Sequence, residues 1–489
     1  MEDGHSPKIP SPLLSLVPVM VLAGLLFVTI RLFGNDVLNG GSQIVLLAAT
    51  AVCCVIAMAC CRVKWKTIER AIVNNITGVA TALLILLIIG ALSGSWMVSG
   101  IVPTLICYGV QIIHPSFFLA STCLICALVS VMTGSSWTTI ATIGIALLGI
   151  GQAQGFSEGW IAGAIVSGAY FGDKVSPLSD TTILASSVTG TPLFTHIRYM
   201  MGTTVPSMLI TLLVFSIAGF AHEATASDQI ALYPASLKAT FHITPWLLIV
   251  PLVTAVLIAK RVPSLITLFL SVALAGLFAL IFQPELLREI AGVPQQGFES
   301  AFKGLLMTLY GHTQIETGIA GLNELVSTRG MSGMLNTIWL IICAMCFGGA
   351  MAAGGMLESI TSLFLHFVRR TAGMVASTVA SGLFLNLTTA DQYISIILTG
   401  DMFKHIYRKR GYENRLLSRT IEDAVTVTSP LIPWNTCGLT QATILGVATF
   451  TYLPYCFFNL ISPLMSILIA ASGFKIYRTP EPGNPPHTP

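Results

Sequence analysis

TGVATALLILLIIGALSGSWMV, the stretch at residues 77–98, contains no Asp, Glu, Lys or Arg. A run of about 20 apolar residues matches the thickness of the hydrocarbon core of a bilayer. Similar runs recur along the chain, whose 489 residues are 54% hydrophobic and only 9% charged. Soluble domains carry about 25% charged residues. We therefore expect an all-α membrane protein with about 10–12 transmembrane helices, embedded in the lipid bilayer of the cell inner membrane.

Lys and Arg mark the short loops that stay in the cytoplasm. They cluster at Arg62–Arg70, Lys260–Arg261, Arg369–Arg370, Lys404–Arg419 and Lys475–Arg478. This distribution predicts that both termini are cytoplasmic, whereas the mixed charge of segments 221–243 and 284–334 fits the outside. The net charge of +3 gives no reason to expect a nucleic-acid partner.

Weak internal similarity predicts two copies of one unit. A shift of 253 (386 − 133) lays Thr133–Ile140 on Asn386–Tyr393 and Ser176–Leu178 on Ser429–Leu431. A shift of 255 (348 − 93) lays the small-residue run Ser93–Gly100 on Gly348–Gly355. Because the first copy follows a basic loop and the second precedes one, the copies should face opposite ways. Inverted repeats with broken helices and re-entrant hairpins are characteristic of secondary transporters.

The repeat predicts five segments along the chain. Residues 1–74 form N-terminal helices, and residues 75–220 form the first transport repeat. Residues 221–334 supply connecting helices and an outside loop. The second, inverted repeat occupies residues 335–473, and residues 474–489 form a Pro-rich tail that is expected to be disordered.

Acidic residues within apolar sequence are costly unless they are paired or used. One cluster, FGDKVSPLSDTT at 171–182, brings Asp173 and Asp180 together with Ser176 and Thr181 around a Pro-broken helix. Carboxylate and hydroxyl oxygens suit a hard cation such as Na+, and a carboxylate binds either a cation or a proton. Lys174 is expected to pair with Asp173 when no ion is bound. The alternative interpretation is a polar cytoplasmic loop.

A second cluster lies at 420–436, where two prolines interrupt an apolar segment. Asp423, Thr428, Ser429 and Asn435 are the candidate ligands there. Glu422 is either part of the same site or an interface residue paired with Arg419.

The third element is a pair of short polar breaks, Thr133–Thr139 and Thr388–Asp391. Ser135, Thr138, Thr388 and Asp391 are candidate ligands at these breaks. Hydroxyl groups also stabilise helix packing in membranes, and for Ser136, Thr139 and Thr389 that alternative is equally favoured. The candidate Na+ ligands are therefore four aspartates: Asp173, Asp180, Asp391 and Asp423.

Two CxxC pairs, Cys123/Cys126 and Cys343/Cys346, lack further Cys or His ligands nearby. We interpret them as small apolar residues packed in membrane helices rather than as a metal or redox site. The sequence contains no Walker motif and no hydrolase signature. We therefore expect a protein that is not an enzyme and that needs no cofactor beyond the ions it carries.

The motifs FGDKVSPLSDTT at 171–182, TADQYISIILTGDMF at 389–403 and LSRTIEDAVTVTSPLIPWNTCG at 417–438 resemble those of the NhaC-type Na+/H+ antiporter family. That resemblance covers most of the chain from about 75 to 470. The family includes Na+/H+ antiporters and a malate/lactate exchanger coupled to Na+ and H+. It implies a substrate site between the two repeats, formed by Asp173, Ser176, Asp180, Asp391, Asp423, Ser429 and Asn435. The chain departs from many members at Ile183, where they have Asn.

Two functions remain open from the sequence. The first is exchange of Na+ for H+ through carboxylates that alternate between cation and proton. The alternative is Na+/H+-coupled exchange or uptake of a small organic anion or amino acid, whose carboxylate half-helix N-termini near Ser135 and Ser429 would hold. A membrane-embedded enzyme is the least favoured class. The sequence leaves open whether the protein forms a homodimer.

Overall fold

A computed structural model describes residues 10–33, 40–221, 228–260, 262–292, 297–319, 322–323, 326–364 and 370–478. Arg261, Arg369 and tail residues 479–489, on which predictions were made above, lie outside these ranges. Among the described residues, nine helices are long and apolar enough to span a membrane, or up to eleven with two bent pairs. The all-α membrane protein is confirmed, and eleven spans fall within the predicted range.

Sixteen α-helices precede the second repeat in the described part of the chain. They are α1 Pro12–Phe33, α2 Gly41–Ala59, α3 Trp65–Gly78, α4 Ala80–Val98, α5 Ile101–Ile112, α6 Pro115–Thr133, α7 Ser136–Thr139, α8 Ile145–Ala153, α9 Glu158–Val175, α10 Asp180–Thr189, α11 Leu193–Ala221, α12 Asp228–Thr240, α13 Ile249–Ala259, α14 Ser264–Phe282, α15 Pro284–Ala291 and α16 Phe298–Tyr310. A π-helix, Ile140–Gly144, joins α7 to α8 without a break.

The second repeat begins after the predicted outside loop. Its α-helices are α17 Leu335–Ala353, α18 Met356–Phe364, α19 Thr371–Thr389, α20 Gln392–Lys409, α21 Asn414–Ile421, α22 Thr436–Leu445, α23 Thr449–Tyr452 and α24 Phe457–Ser472. A second π-helix, Glu422–Thr426, follows α21 directly, and a 3₁₀-helix, Ser429–Leu431, ends this segment.

The structure agrees with the predicted match of Ser93–Gly100 to Gly348–Gly355 at the first helices of the two copies. Helices α4 and α17 both have 19 residues. Each is followed by a glycine in the left-handed region, Gly100 with φ of +83° and Gly355 with φ of +67°. Glycine adopts this conformation without a steric penalty, so each one allows an abrupt turn into the next short helix.

The shift predicted for the breaks, 253 (386 − 133), is too small. Helices α6 and α19 have 19 residues each and begin at Pro115 and Thr371, a shift of 256 (371 − 115). Helices α10 and α22 have 10 residues each, and the same shift relates their starts, Asp180 and Thr436. We call this correspondence the structural register. The predicted shift differs from it by nearly one helical turn, so the small and hydroxylated residues still matched weakly.

Equivalent helices of the two copies end in different surroundings. The C-terminal Gly190 of α10 lies beside Lys404 and Arg408 of the strongest basic cluster. Near the end of α22, Thr443 Oγ1 instead lies 2.6 Å from Thr337 Oγ1, at the start of α17. Helix α17 follows the predicted outside loop. The two helix ends therefore have different neighbours, and the inverted orientation of the two copies stays a prediction.

Helix α11 shows how the protein meets lipid. Leu209, Leu213, Ile217 and Phe220 are each at least 60% exposed and recur about once per turn along one face. Elsewhere on the same helix, His196, Thr203 and Ser207 are fully buried against neighbouring helices. A stripe of large apolar side chains with no protein cover is what a lipid-facing surface requires.

Glycines allow the helices that carry the site to approach closely. Helix α9 packs along α6, and a Cβ atom at Gly168 would lie 2.1 Å from the carbonyl oxygen of Cys123. A Cβ atom at Gly172 would lie 2.5 Å from the carbonyl oxygen of Ala127. Small residues at such crossings are typical of membrane helix pairs. They bring Asp173, one residue after Gly172, against the break that follows α6.

Candidate functional site

The two polar breaks have the same backbone construction. After α6, Gly134 is left-handed with φ of +67°, and after α19 Ala390 is left-handed with φ of +58°. Ser135 then caps α7, its Oγ accepting from the backbone N–H of Thr138 at 3.2 Å. Asp391 caps α20 in the same way, its Oδ1 accepting from the N–H of Ile394 at 3.0 Å. A hydroxyl in one copy is thus replaced by a carboxylate in the other.

Hydroxyl side chains inside the two breaks make equivalent hydrogen bonds. Thr133 Oγ1 donates to the carbonyl of Ser135 at 3.1 Å, and Thr389 Oγ1 to that of Asp391 at 3.0 Å. Thr139 Oγ1 and Ser395 Oγ donate to the same two carbonyls at 2.9 and 2.7 Å. These hydroxyls therefore stabilise the backbone of the two breaks.

Asp173 lies in the last turn of α9 and is only 5% exposed. Its Oδ2 accepts from the hydroxyl of Ser136 at 2.6 Å and from the Ser136 backbone N–H at 3.2 Å. Its Oδ1 accepts from Ser179 Oγ at 2.6 Å, and Ser179 Oγ lies 2.9 Å from Thr181 Oγ1. The carboxylate is thus bridged between the broken helix α7 and the tip of the hairpin that α9 and α10 form. It makes no ion pair with a described residue.

Asp391 is the second buried carboxylate at a break, with 2% exposure. Beyond its capping bond, its Oδ2 accepts from Thr436 Oγ1 at 3.1 Å. Thr436 is the first residue of α22, and Asn435 caps that helix, its Oδ1 accepting from the Cys437 N–H at 3.0 Å. Ser179 caps α10 at the equivalent position of the first copy.

Asp173 and Ser429 are equivalent in the structural register. Ser429 is fully buried, and its Oγ donates to Gln392 Oε1 at 3.1 Å, whereas Asp173 accepts from the hydroxyl of Ser136. Gln392 and Ser136 are the first residues of equivalent helices. At this position the first copy thus carries a carboxylate on the long helix, whereas the second copy has a serine there and carries a carboxylate at the break.

Tyr393 lies near aspartates of both copies. Asp173, Asp180 and Asp391 all lie within electrostatic range of its side chain. Asp180, the first residue of α10, is exposed, so it is the member of this group that is open to the surroundings. A joint role of Asp173, Asp180 and Asp391 in binding an ion stays a prediction.

Asp423 belongs to a different, charged cluster. The ammonium of Lys174 contacts Asp423 Oδ1, and both side chains are fully buried. Thr203 Oγ1 donates to the same carboxylate at 3.0 Å, and Lys174 Nζ donates to Ser462 Oγ at 3.0 Å. The expected Lys174–Asp173 pair is therefore not formed, because the ammonium lies against the second copy rather than beside its neighbour in the chain.

The suggested Glu422–Arg419 pair is also not formed. Arg419 Nε lies 3.7 Å from Asp423 Oδ2, and its guanidinium lies 4.9 Å from the centre of the Tyr199 ring. Arg419, Lys174 and Asp423 thus form one buried ionic cluster.

Several predicted ligands bond to nearby backbone carbonyls or to neighbouring hydroxyls. The hydroxyls of Ser176, Thr388 and Thr428 donate to the carbonyls of Val131, Phe384 and Ala424, respectively. Thr138 Oγ1 donates to Ser135 Oγ at 3.2 Å. These contacts fix helix ends and turns, and their role in binding an ion stays a prediction.

Ser136, Ser179 and Gln392 contribute to the site but were not singled out as ligands. The sequence favours packing and ligation equally for Ser136, and nothing in the motifs around Ser179 and Gln392 marks these two residues as ligands. The structural register would have identified them, because it lays Ser136 on Gln392 and Ser179 on the capping Asn435. The register follows from the helix ends in the structure, so the weak repeat in the sequence, with its shift of 253, does not identify these residues.

The four aspartates do not converge on one ion. Within the described residues, no group of three or more His, Cys, Asp or Glu side chains could hold a metal ion together. A cation at either break would instead combine one carboxylate with hydroxyl and carbonyl oxygens, which are ligands that hard cations accept. One cavity of about 810 Å³ lies elsewhere, lined by residues such as Glu285, Glu289 and Glu316.

Comparison with known proteins gives a consistent picture. The model of a family described as the Na+/H+ antiporter family matches residues 11–184 and 168–474. The chain is 37% identical over 407 residues to the Na(+)/H(+) antiporter NhaC of Bacillus subtilis, covering 83% of this chain and 87% of that protein.

The names of two further relatives include organic solutes. The chain is 36% identical over 418 residues to the Malate-2H(+)/Na(+)-lactate antiporter of Bacillus subtilis, covering 85% of this chain and 86% of the relative. It is 33% identical over 485 residues to the arginine/ornithine antiporter ArcD of Halobacterium salinarum, covering 98% and 96%.

Proposed function

From the premise that this chain belongs to the Na+/H+ antiporter family, we propose that it is a secondary active transporter that exchanges Na+ for H+ across the membrane. The family membership makes it a transporter rather than an enzyme, with Na+ and H+ as cargo rather than bound cofactors. Its membrane is the cell inner membrane, with both termini in the cytoplasm, as the Lys and Arg clusters predict.

The observation that carries this proposal is the burial of Asp173 and Asp391 without a basic partner. Both are at most 5% exposed, and neither forms an ion pair with a described residue. A buried, unpaired carboxylate is costly in its charged form, so it must take up either a proton or a cation. A group that accepts one or the other, but not both, is the simplest basis for exchange.

Asp173 is the better Na+ ligand of the two. Two hydroxyls, from Ser136 and Ser179, already lie 2.6 Å from its carboxylate oxygens. A hydroxyl both donates and accepts, so rotation of its O–H turns a donor to Asp173 into an oxygen ligand for Na+. Thr181, whose Oγ1 lies 2.9 Å from Ser179 Oγ, and the exposed Asp180 extend this set of oxygens towards the opening.

We assign to the two hairpins the movement that opens the site to one side of the membrane and then to the other. Each hairpin tip is joined to a break through one carboxylate. Ser179 at the tip and Ser136 at the break both donate to Asp173, and Thr436 at the other tip donates to Asp391 of the other break. Exchanging a proton for Na+ at either carboxylate changes these hydrogen bonds. The ion therefore alters the contact between broken helix and hairpin, which is where a transporter with inverted repeats opens and closes.

The test uses purified protein in proteoliposomes that contain a pH-sensitive dye. An inward Na+ gradient should alkalinise the lumen, and Asp173→Asn should abolish the response while leaving the protein folded. No change of lumenal pH with Na+ would contradict the proposal. A response that appears only with malate, lactate, arginine or ornithine would favour the organic-solute alternative.

A further inference from the structure

Glu422 is a buried glutamate that the proposed exchange at Asp173 and Asp391 does not use. It is 0% exposed, and neither of its carboxylate oxygens has a hydrogen-bond partner among the described residues. The hydroxyl of Thr426, one turn further along, is buried beside this carboxylate and is, among the described residues, the one side-chain donor near it, although no hydrogen bond of good geometry joins the two. Three buried oxygens with free lone pairs therefore lie together.

The first repeat shows that packing does not require a carboxylate at this position. In the structural register, Glu422 corresponds to Val166 on α9, which is also 0% exposed. The apolar side chain fills the equivalent space between helices without any polar partner. A glutamate at the same place in the second repeat therefore has a cost that packing does not offset.

The backbone at Glu422 also differs from that of the first repeat. Helix α9 is α-helical throughout, whereas its counterpart changes to a π-helix at Glu422–Thr426. π-helical turns inside α-helices are rare and occur frequently at functional sites. Here the turn begins at the unpartnered glutamate.

The charges around Glu422 do not neutralise it. Within electrostatic range are Asp173 and Lys174 on α9 and Asp423 on the same π-helix. Lys174 is already bound by Asp423. Asp173 then remains near Glu422 as a carboxylate without a basic partner among the described residues, which favours a bound cation between them.

The other helices packed against the π-helix supply little positive charge at this place. Helices α19 and α24 contain no charged residue, and the charged residues of α20 begin at Asp401, towards its C-terminal end. Helix α10 contributes Asp180, and Arg419 on α21 lies against Asp423 and the Tyr199 ring.

We propose that Glu422 and Thr426 form a second binding site for Na+ in the transport path, in addition to the one at Asp173. The carboxylate supplies the negative charge and the Thr426 hydroxyl a further oxygen, both of which suit a hard monovalent cation. This inference rests on the proposed Na+/H+ exchange for its role in transport, but the site itself is defined by binding. It implies that one chain binds two Na+ ions.

Equilibrium binding of radioactive 22Na+ to the purified full-length chain in lipid nanodiscs, at alkaline pH, tests the proposal. Wild type should bind two Na+ per chain, and Glu422→Gln and Asp173→Asn should each bind one. Thr426→Val should retain two sites, with the affinity of one of them weakened by about tenfold or more, as expected for loss of one oxygen ligand to a charged group. Glu422→Val, which copies Val166 of the first repeat, replaces Glu422→Gln if the latter does not fold.

Two results would overturn the second site. One is a wild-type stoichiometry of one or none, and the other is a stoichiometry of two that Glu422→Gln and Glu422→Val leave unchanged. The binding measurement needs no transport, so its failure is distinguishable from failure of the exchange reaction. If wild-type proteoliposomes show no Na+-driven pH change while two ions bind, it is the proposed function that is wrong.

Discussion

Lys174 forms a buried ion pair with Asp423, which lies 249 residues further along the chain, and not with its neighbour Asp173. This pair joins the first repeat to the second. It also leaves the carboxylate of Asp173 free of any basic partner among the described residues. The same contact thus stabilises the assembly of the two copies and keeps Asp173 available for an ion.

We expect single substitutions in this pair to destabilise the protein. Lys174→Met or Asp423→Asn leaves one charge buried without its partner, which costs about 3–5 kcal/mol. The double variant should recover part of the loss, because the charges of Lys174 and Asp423 are then both absent, whereas Arg419 still loses its contact with Asp423. Thermal unfolding in detergent, followed by tryptophan fluorescence, measures these differences. A stable Asp423→Asn variant that has lost Na+ binding would instead make Asp423 an ion ligand, as its sequence context predicted.

We expect the hydroxyls that contact Asp173 to affect Na+ affinity. Ser136→Ala or Ser179→Ala removes a hydrogen bond to a charged group, which is worth about 1.5–3 kcal/mol. The loss of this oxygen should lower the affinity for Na+ about ten- to hundredfold. The half-saturating Na+ concentration of the proteoliposome assay measures the change. Ser130→Ala is the matched control, because the buried Ser130 donates to the carbonyl of Ala169 and not to Asp173. Equal effects of all three substitutions would show that the hydroxyls act only through folding.

Two substitutions separate the role of Asp391 in capping α20 from its role in binding an ion. Asp391→Ser copies Ser135, which caps the equivalent helix of the first repeat, so the variant should fold normally. Asp391→Ala lacks the cap and should be about 1 kcal/mol less stable. If the charge takes part in exchange, Na+-driven proton transport is lost in both variants. Wild-type transport by Asp391→Ser would limit Asp391 to capping the helix.

Exchanging alanine and glycine at the two left-handed positions, Ala390→Gly and Gly134→Ala, should change the stability of the protein in opposite directions. Ala390 has φ of +58°, a conformation that is strained for a residue with a Cβ atom, so Ala390→Gly should stabilise the protein by up to about 1 kcal/mol. Gly134→Ala should destabilise it, because the new Cβ atom would lie 2.7 Å from the backbone of Leu178. Unfolding temperatures of the two variants check this. A stabilising Gly134→Ala would show that the two breaks are not equivalent.

The sequence by itself determined the class of protein and the places where its helices break. Long uncharged runs specify membrane helices because the bilayer accepts no unpaired polar backbone. Gly134 and Pro177, together with the surrounding hydroxyl residues, marked the first break and hairpin because they act on their own neighbours. The resemblance of three long motifs to one family was likewise contained in the sequence, and the match to that family confirms it.

Only the tertiary structure decided which distant residues meet. Lys174 is adjacent to Asp173 in the chain, but the packing of α9 against the second repeat directs its ammonium to Asp423. Likewise, the structural register, and with it the match of Asp173 to Ser429, follows from helix ends and hydrogen bonds rather than from residue identity. The physical reason is that a polar side chain in a membrane helix needs a partner from another segment, and nothing local in the sequence specifies which segment supplies it.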